Sequence, residues 1–396
     1  MKIDIFGFVE DSNIGDPVIG ETCKFLVERI CAENNIEAQI NLHPLFPPPN
    51  YKKYWITRFL RKRCRKNRSV LAQAFTLKVF SLYNKFFSTL NNYYESCLKD
   101  SDLVIFAGGG MIKFIWQEFW AADYCIVNYC DEHNIPVYFN AIGVEGYDEK
   151  NLYSKLLKNL LNKSCVKGIT TRDDIDSLKK YLNSTSDELV VGDPALWSNE
   201  LYPRKSEQNI VGINTIRSGI FRVNGYDIDD DKLVDFYCEF IKRLENDGHK
   251  WQLFTNGTTN DYEVGEKVLE KLGLEKTTDR IVSQPKNSQE LVNLITSYKA
   301  ILGSRMHAHI IATSFEIPTV GTIWNDKLKW FAKHLGAEDR FIIPSELNKY
   351  DEFYEKFKNA LSEKNEKLNT KILKEKTYNS LREFIIDEKF KNLEEV

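Results

Sequence analysis

One segment of the chain concentrates residue types that can bind an anion and transfer a proton. The segment Gly303–His309 reads GSRMHAH, follows a predicted strand over Ala300–Gly303 and opens a predicted helix over Arg305–Ser314. Two of the six histidines of the chain lie here beside an arginine. Positive side chains at a helix N-terminus oppose the helix dipole, and a bound anion would compensate for this placement. We therefore predict an anion site here, with Ser304 and Arg305 among its candidate residues.

The two histidines of this segment are expected to have different roles. His307 and His309 are two positions apart, and on a regular helix such residues point about 200° away from each other. A pair of metal ligands on a helix favours the i, i+4 spacing instead. Zinc is therefore disfavoured, and no metal is predicted. Two buried structural histidines are the alternative interpretation of the segment.

Two further cationic residues follow predicted strands. Arg172 comes after the strand Val166–Thr170, and Lys327 comes after the strand Ile317–Ile323. Open α/β sheets bind ligands at the carboxyl ends of their strands. Both side chains could therefore complete a cationic pocket with Arg305. The alternative for Arg172 is a surface arginine paired to an aspartate, and the alternative for Lys327 is an exposed lysine.

Glycine-containing turns form the third group of candidates. One turn lies between the first predicted strand and helix, and a run of three glycines follows the strand Leu103–Ala107. Glycine lets a backbone approach a ligand closely, but the GxGxxG spacing of dinucleotide sites is lacking. Tight turns with helix caps are the alternative. The loop candidates are Asn13, Gly15, Asp16, Gly108, Gly109, Gly110 and Asp193.

The elements that carry these residues alternate between short apolar runs and helical patterns. This alternation predicts an α/β chain with parallel sheets covered on both faces. The polar stretch 198–208 divides two such runs and is interpreted as a linker. We predict two Rossmann-like domains that face a cleft: residues 1–200 form one domain, 208–345 the other, and 346–396 a charged helical tail.

Composition excludes several classes of protein. The 396 residues include 54 Lys and Arg against 57 Asp and Glu, a net charge of −3, so a globally basic nucleic-acid binder is not expected. The eight cysteines show no CxxC pair, as in a cytosolic protein with reduced thiols. No apolar run reaches the ~18 residues of a transmembrane helix, and no signal peptide is expected. The acids Asp227–Asp231 contain a DxD sequence but are interpreted as helix caps. A cytoplasmic protein is predicted.

One insertion, residues 52–97, departs from the net-negative balance. Its first part, 52–68, has nine basic residues and no acidic one. An apolar helical pattern follows, in which residues every three or four positions share one face: Leu71, Phe75, Val79, Leu82, Phe86, Leu90 and Tyr93. A core-packing or dimer-forming helix beside a solvated basic stretch is one interpretation. The other is a surface for anionic lipid headgroups or a lipid-diphosphate substrate.

Taken in order, these motifs resemble the polysaccharide pyruvyl transferase family. The matching pieces span roughly residues 1–335. Pro17 departs from the family, which often has an acidic residue there, and the insertion has no recognised counterpart. The pieces that carry the resemblance are Asn13-x-Gly15-Asp16, Gly108–Gly110, Arg172-Asp173, Asp193-Pro194, Ser304-Arg305-Met306-His307-Ala308 and Asp326-Lys327.

The resemblance implies a GT-B-like fold, phosphoenolpyruvate as donor and a glycan hydroxyl pair as acceptor, with no cofactor. The product would be a cyclic pyruvate ketal of a capsular, extracellular or cell-wall polysaccharide, made on a lipid-linked precursor at the inner membrane face. The resemblance assigns general acid/base catalysis to His307 and a second catalytic role to Arg305. Donor binding falls to Arg172, Arg305, Lys327, Ser304 and His309. The turns at Asn13, Gly15, Asp16, Gly108–Gly110 and Asp193 would line the cleft or bind the acceptor.

Two other functions stay open at the level of the sequence. The same fold could host a nucleotide-sugar glycosyltransferase, because a fold does not determine a reaction. A non-catalytic glycan-assembly protein is the second alternative, although it would need no cationic pocket.

Overall fold

The chain folds into two compact units, which are described separately. The computed structural model describes residues 1–9, 13–46, 69–87, 89–114, 119–184, 186, 188–363 and 367–394. Unit 1 consists of Met1–Glu10, Ile19–Pro194 and Glu375–Val396, and unit 2 of Asp11–Val18 and Ala195–Lys374. Each unit is built around its own parallel β-sheet.

Within the described residues, unit 1 contains a sheet of six parallel strands in the order β2-β1-β3-β5-β4, with β6 also paired to β5. Strand β3 has the sequence LVIF and is buried throughout, as expected for a parallel sheet covered on both faces. The strands are β1 (Lys2–Gly7), β2 (Gln39–Pro44), β3 (Leu103–Phe106), β4 (Gly109–Lys113), β5 (Val137–Glu145) and β6 (Val166–Thr171). The helices up to the end of this sheet are α1 (Gly15–Glu33), α2 (Val70–Phe87), α3 (Thr89–Leu98), α4 (Phe119–Glu132), α5 (Leu152–Leu161) and α6 (Ile175–Leu182).

Unit 2 contains a five-stranded parallel sheet, counted over the same described residues, in the order β11-β10-β9-β7-β8. Apolar side chains on both faces of this sheet form the core of the unit. The strands are β7 (Gln208–Asn214), β8 (Lys250–Phe254), β9 (Tyr298–Gly303), β10 (Thr319–Thr322) and β11 (Phe341–Ile342). The remaining helices are α7 (Ser198–Leu201), α8 (Gly219–Val223), α9 (Asp230–Asn246), α10 (Thr259–Lys271), α11 (Ser288–Thr296), α12 (Met306–Ser314), α13 (Asp326–Leu335), α14 (Tyr350–Glu363) and α15 (Thr370–Glu394).

The division into units differs from the predicted one at both ends of the chain. The loop at Ile14 belongs to unit 2, because Ile14 packs in its core and donates its backbone N–H to the Asn256 carbonyl, 2.9 Å away. The predicted tail does not form a separate region. Its first helix, α14, buries Phe353 in unit 2, whereas the end of α15 buries Phe384 in unit 1.

Three local predictions also differ from the structure. The stretch 198–208 begins with helix α7, and the division into units falls earlier, at Pro194, because Leu196 already packs in the core of unit 2. The run Gly108–Gly110 is not a free loop: Gly109 and Gly110 begin strand β4, beside β5. The predicted strand 189–191 is reduced to an isolated bridge between Thr171 and Val190.

Helix α2 presents part of its predicted apolar face to solvent. Leu71 is 84% exposed and Phe75 65% exposed, whereas Gln73, Thr76 and Phe80 are the buried positions. The core-packing interpretation therefore fails for Leu71 and Phe75. The basic stretch 52–68 and the side chains of 83–90 lie outside the described residues. Among the helices that are described, none is both long and apolar enough to cross a membrane.

The acidic cluster before α9 has the capping role that was predicted for it. The carboxylate of Asp229 accepts a hydrogen bond from the backbone N–H of Lys232 at 2.9 Å. A side-chain oxygen at the N-cap satisfies one of the free N–H groups of the first turn. The neighbouring Asp230 accepts from Lys267. The DxD sequence is thus accounted for by the start of a helix.

A buried carboxylate joins the edge strand of unit 1 to its neighbour. Asp4 is fully buried and lies 2.8 Å from Nε2 of His43 and 2.9 Å from Nδ2 of Asn41. It also accepts from Ser101 and lies 3.3 Å from Nζ of Lys2. Burial acts to raise the pKa of Asp4, but these donors outweigh it and the pKa is lowered. Burial likewise acts most strongly on His43 and lowers its pKa, but the interactions with Asp4 and Cys97 together outweigh burial and raise the pKa to about 9.

The stability of unit 1 should therefore fall as the pH rises from about 6.5 to about 9. A histidine whose folded pKa is raised stabilises fully below its unfolded pKa, and this contribution is lost as it deprotonates. At about 1.36 kcal/mol per pKa unit, the contribution is at most about 3 kcal/mol. Thermal melting of wild type and His43→Gln between pH 6 and pH 9.5 measures it. His43→Gln should flatten the decline, and the exposed control His133→Gln should not. Parallel declines in all three proteins would contradict the assignment.

Candidate active site

The loop between β9 and α12 is held by buried polar side chains of unit 2. Oδ1 of Asn214 accepts the backbone N–H groups of Ser304, at 3.2 Å, and Arg305, at 2.9 Å. The hydroxyl of Ser304 is 2.8 Å from that of Tyr237, and the Ser304 carbonyl accepts from Nε1 of Trp324 at 2.5 Å. Ser304 is fully buried. Its side chain therefore orders the loop from inside, and the donor-binding role predicted for it stays a prediction.

Arg305 is oriented by a carboxylate from the next crossover. Its Nε and Nη2 atoms lie 2.8 and 2.5 Å from Oδ2 of Asp261, which is fully buried near the start of α10. Arg305 itself stands at the N-cap of α12, where its side chain makes no cap hydrogen bond. The guanidinium is thus directed by Asp261, beside the N–H groups of the first helical turn.

His307 is the second residue of α12 and faces the first turn of α1. Its Nδ1 atom is 3.5 Å from Oδ1 of Asp16. Asp16 is in turn ordered by Asn13, whose Nδ2 donates to Oδ2 of Asp16 at 2.9 Å. The backbone carbonyl of Asn256 accepts the N–H of Ile14. Oδ1 of Asn256 accepts a hydrogen bond from Nδ2 of Asn214 at 3.1 Å. The two loops are therefore joined by hydrogen bonds, and a carboxylate is placed beside the imidazole.

Gly15 is required by this close approach. A Cβ atom built on Gly15 would lie 2.4 Å from Cβ of His307 and 2.8 Å from its Nδ1. Contacts this short do not occur between real side chains. The sequence predicted that the glycine lets the backbone approach a ligand. In the structure, the partner of this close approach is the ring of His307.

His309 points away from this cluster, as the helix geometry predicted. It is fully buried, its Nδ1 lies 2.7 Å from the hydroxyl of Thr319, and its ring lies against Gly303 and Gly321. Burial lowers the pKa of His309 to about 3, so the ring is neutral. The imidazole fills the space between two strands that carry glycine. His309 therefore has a packing role in this structure. A donor-binding role for His309 stays a prediction without a geometric basis.

Lys327 lies at the same edge of the sheet. It is half-buried in the first turn of α13, after β10, and Asn325 caps this helix through the N–H of Leu328. Strand β10 pairs in parallel with β9, which precedes Arg305. The carboxyl ends of adjacent parallel strands lie at one edge of a sheet. Lys327 and Arg305 therefore belong to the same edge of unit 2.

In unit 1 the structure joins two other predicted site residues. Arg172 follows β6 and forms a buried salt bridge with Asp193. The next residue, Asp173, accepts the backbone N–H of Val144 at 2.7 Å. Gly109 has a φ of +87°, and a Cβ there would lie 2.5 Å from the ring of Phe8. Arg172 is thus paired to an aspartate, as the alternative held, but the pair is buried and not at the surface, and the partner is another residue of the predicted cleft.

Several polar residues that hold these loops were not singled out from the sequence. Asn214 ends β7, Asn256 follows β8, and Asp261 lies near the start of α10. Each is fully buried at the carboxyl end of a strand or just after it. A polar residue that ends an apolar strand is the signal that could have identified Asn214. Nothing local distinguishes Asp261 from the other acids of a helical first turn.

Two parallel-sheet α/β units, each with charged side chains after its strands, define a GT-B-like enzyme. UDP-GlcNAc 2-epimerase from Methanocaldococcus jannaschii has this fold, with a TM-score of 0.56 at 11% identity over 98% of this chain and 100% of that one. A structure from Listeria monocytogenes described as UDP-N-acetylglucosamine 2-epimerase gives 0.55 at 11% identity over 92% and 90%. The complex of S. aureus MnaA with UDP gives 0.51 at 13% identity over 92% and 91%. Such low identity shows the fold alone.

Comparison of the sequence with family profiles identifies the family. The profile of the polysaccharide pyruvyl transferase family matches residues 13–327, so the chain belongs to that family and is a transferase. The match begins at Asn13 and ends at Lys327, the first and last of the predicted site residues. No curated protein sequence matches the chain closely.

Gly15→Ala should abolish most pyruvyl transfer without unfolding the protein. The added methyl group would displace His307 or the turn that carries Asp16, and a displacement of about 1 Å can cost on the order of 100-fold in rate. The measurement is kcat/KM together with the melting temperature. Gly219→Ala is the matched control, because a Cβ at Gly219 meets no atom within 4 Å. Wild-type activity in Gly15→Ala would contradict the packing argument.

Proposed function

We propose that the chain transfers pyruvate from phosphoenolpyruvate to a pair of hydroxyl groups on a glycan and releases phosphate. The observation that carries this proposal is the cluster in unit 2, in which a histidine beside a carboxylate lies two residues from an oriented arginine. Family membership supplies the reaction class. The donor, the acceptor and the roles of the residues are the proposal.

The charges of the cluster suit a donor that carries both a phosphate and a carboxylate. Arginine binds either group bidentately, and lysine adds a point charge. Arg305 and Lys327 are assigned to the donor because both follow adjacent strands at one edge of unit 2. Arg172 keeps the donor-binding role that the family resemblance implies for it. The N-terminus of α12, the positive end of the helix dipole, lies at the same edge.

The reaction needs a proton at one carbon and a nucleophile at the next. His307 donates a proton to the methylene carbon of the enol, which becomes a methyl group. A glycan hydroxyl oxygen bonds to the central carbon and loses its proton to the imidazole. The second hydroxyl then attacks the same carbon, the bond to the phosphate oxygen breaks, and phosphate leaves with the remaining proton. One proton thus ends on carbon and one on phosphate, so the two hydroxyl protons are accounted for.

Asp16 is proposed to orient His307 during these steps. Its carboxylate faces Nδ1, so Nε2 on the opposite side of the ring is the atom assigned to proton transfer. A carboxylate at Nδ1 holds the tautomer and stabilises the imidazolium that forms when the base accepts a proton. Asn13 orders that carboxylate. This arrangement gives the Asn13-x-Gly15-Asp16 turn a function beside the histidine.

The acceptor is proposed to be a glycan precursor of capsular, extracellular or cell-wall polysaccharide, attached to a lipid diphosphate at the inner membrane face. Unit 1 is proposed to contribute its binding residues from the turns around Gly108–Gly110 and Asp193.

A second candidate function, transfer of a sugar from a nucleotide sugar, is favoured by one observation. Relatives of this fold have been solved with UDP.

Thermal melting with phosphoenolpyruvate and with UDP-sugars distinguishes the two functions. A ligand at 100 times its dissociation constant stabilises by about 2.7 kcal/mol. Phosphoenolpyruvate should raise the melting temperature of wild type. Arg305→Lys keeps the charge beside Asp261 but loses bidentate binding, so the shift should nearly vanish. Arg243→Lys is the control, since Arg243 pairs with Asp351 on the outside of unit 2. A shift with a UDP-sugar and none with phosphoenolpyruvate would contradict the proposed donor.

A peripheral membrane contact through α2 is the remaining part of the proposal. Leu71 and Phe75 form an exposed apolar face, and the nine basic residues of 52–68 precede them in the sequence. Apolar side chains beside basic ones favour anionic lipid surfaces.

Leu71→Ser with Phe75→Ser should reduce sedimentation of the protein with vesicles that contain anionic lipid, whose negative surface potential attracts basic segments. The control is Val223→Ser, which changes an exposed apolar residue of unit 2. Binding of phosphoenolpyruvate should be unchanged in both variants. Equal sedimentation of the two variants and wild type would contradict the membrane contact.

A further inference from the structure

The carboxylate of Asp261 contacts two arginines. Its Oδ2 accepts from Nε and Nη2 of Arg305, as described above. Its Oδ1 accepts the backbone N–H of Arg217 at 3.1 Å and lies 3.5 Å from Nη1 of the same residue. The Asp261 carbonyl accepts the hydroxyl of Thr215 at 2.9 Å. Asp261 therefore fixes the loop after β7 and the loop after β9 together.

The charges of this group do not balance. Asp261 has no exposed surface, so its ionised form is costly unless cations compensate for it. One arginine is sufficient for that purpose, and Arg305 already provides two hydrogen bonds. The second guanidinium leaves the three side chains with a net charge of +1. In the described part of the chain, no acceptor besides Asp261 is bonded to either guanidinium.

Arg217 is also the more accessible of the two arginines. Its side chain is 38% exposed, against 11% for Arg305. It follows β7, which pairs in parallel with β9, and so it lies at the same edge as Arg305. With Lys327 after β10, three successive strands at this edge of the sheet are each followed by a cation. A side chain that served only to neutralise Asp261 would have no need to reach solvent.

We propose that Arg217 is a further donor-binding residue and that Asp261 positions Arg217 and Arg305 to bind one anionic donor. This inference rests on the proposed function. Arg305 and Lys327 bind the donor from β9 and β10, and Arg217 binds one of its two anionic groups from the side of β7. Asp261 itself touches no ligand. It sets the direction of both guanidinium groups, which leaves their outer N–H groups for the donor.

The test measures anion binding by Arg217 variants with calorimetry. Wild type is titrated with phosphoenolpyruvate, inorganic phosphate and UDP. Arg217→Ala should raise the dissociation constant at least tenfold for the anion that wild type binds best, and Arg217→Lys should raise it less. Asp261 keeps Arg305 as its partner in both variants, so the melting temperature should stay close to that of wild type. Arg222→Ala is the matched control, because Arg222 is an exposed arginine five residues further along the chain, in α8.

Steady-state kinetics distinguish binding from a merely structural role. Arg217→Ala should raise KM for phosphoenolpyruvate more than it lowers kcat. Asp261→Asn removes the carboxylate that orients both arginines, so it should raise KM even though it makes the group more positively charged. If Asp261→Asn does not fold, the Arg217 variants alone decide. Unchanged affinity and KM in Arg217→Ala would overturn the inference.

The outcome also separates this inference from the proposed function. If wild type binds UDP or phosphate but not phosphoenolpyruvate, the proposed donor is wrong. A loss of that other anion in Arg217→Ala then still supports Arg217 as an anion-binding residue, and no loss overturns it. Absence of binding of all three anions to wild type would overturn both.

Discussion

The close approach of Gly15 to His307 is the constraint on which the rest of the candidate site depends. Residues almost 300 positions apart are in contact, and the contact leaves no room for a Cβ. Asp16 follows Gly15 directly, so the position of the glycine determines the position of the carboxylate. The Asn256 carbonyl holds Ile14 from the other side. The turn is thus part of unit 2, although the strand before it belongs to unit 1.

Buried carboxylates orient the candidate site arginines in both units. Asp261 contacts Arg305 in unit 2, and Asp193 contacts Arg172 in unit 1. A buried ion pair is weak evidence for stability, because desolvation of two charges offsets their attraction. What the ion pair provides here is a fixed orientation of the arginine side chain. An arginine held by a carboxylate keeps little rotamer freedom, and less entropy is lost when an anion binds.

The sequence predicted the parts of the fold that depend on local pattern. Apolar runs such as β3 and residues 300–303 of β9 are buried on both faces of a sheet, and such a run allows few other placements. The regions that were predicted wrongly depend on long-range contacts. Gly109 lacks the apolar pattern of a strand, yet it pairs with Ile142 of β5, and the ring of Phe8 leaves no room for a Cβ at this position. The predicted tail divides between the units because α14 and the end of α15 pack in different cores. No local signal in a charged helix identifies its partner.

The segment Gly303–His309 shows how one short sequence can serve three purposes. Arg305 stands before the first helical turn, where its side chain is free to turn towards Asp261. His307 lies on the side of α12 that faces Asp16, and His309 is turned by about 200° into the sheet. There the neutral ring occupies the space that Gly303 and Gly321 leave open. His309 therefore anchors the helix in the sheet, and His307 faces Asp16. The spacing of two residues, which argues against a pair of metal ligands, places the two histidines on opposite sides of the helix.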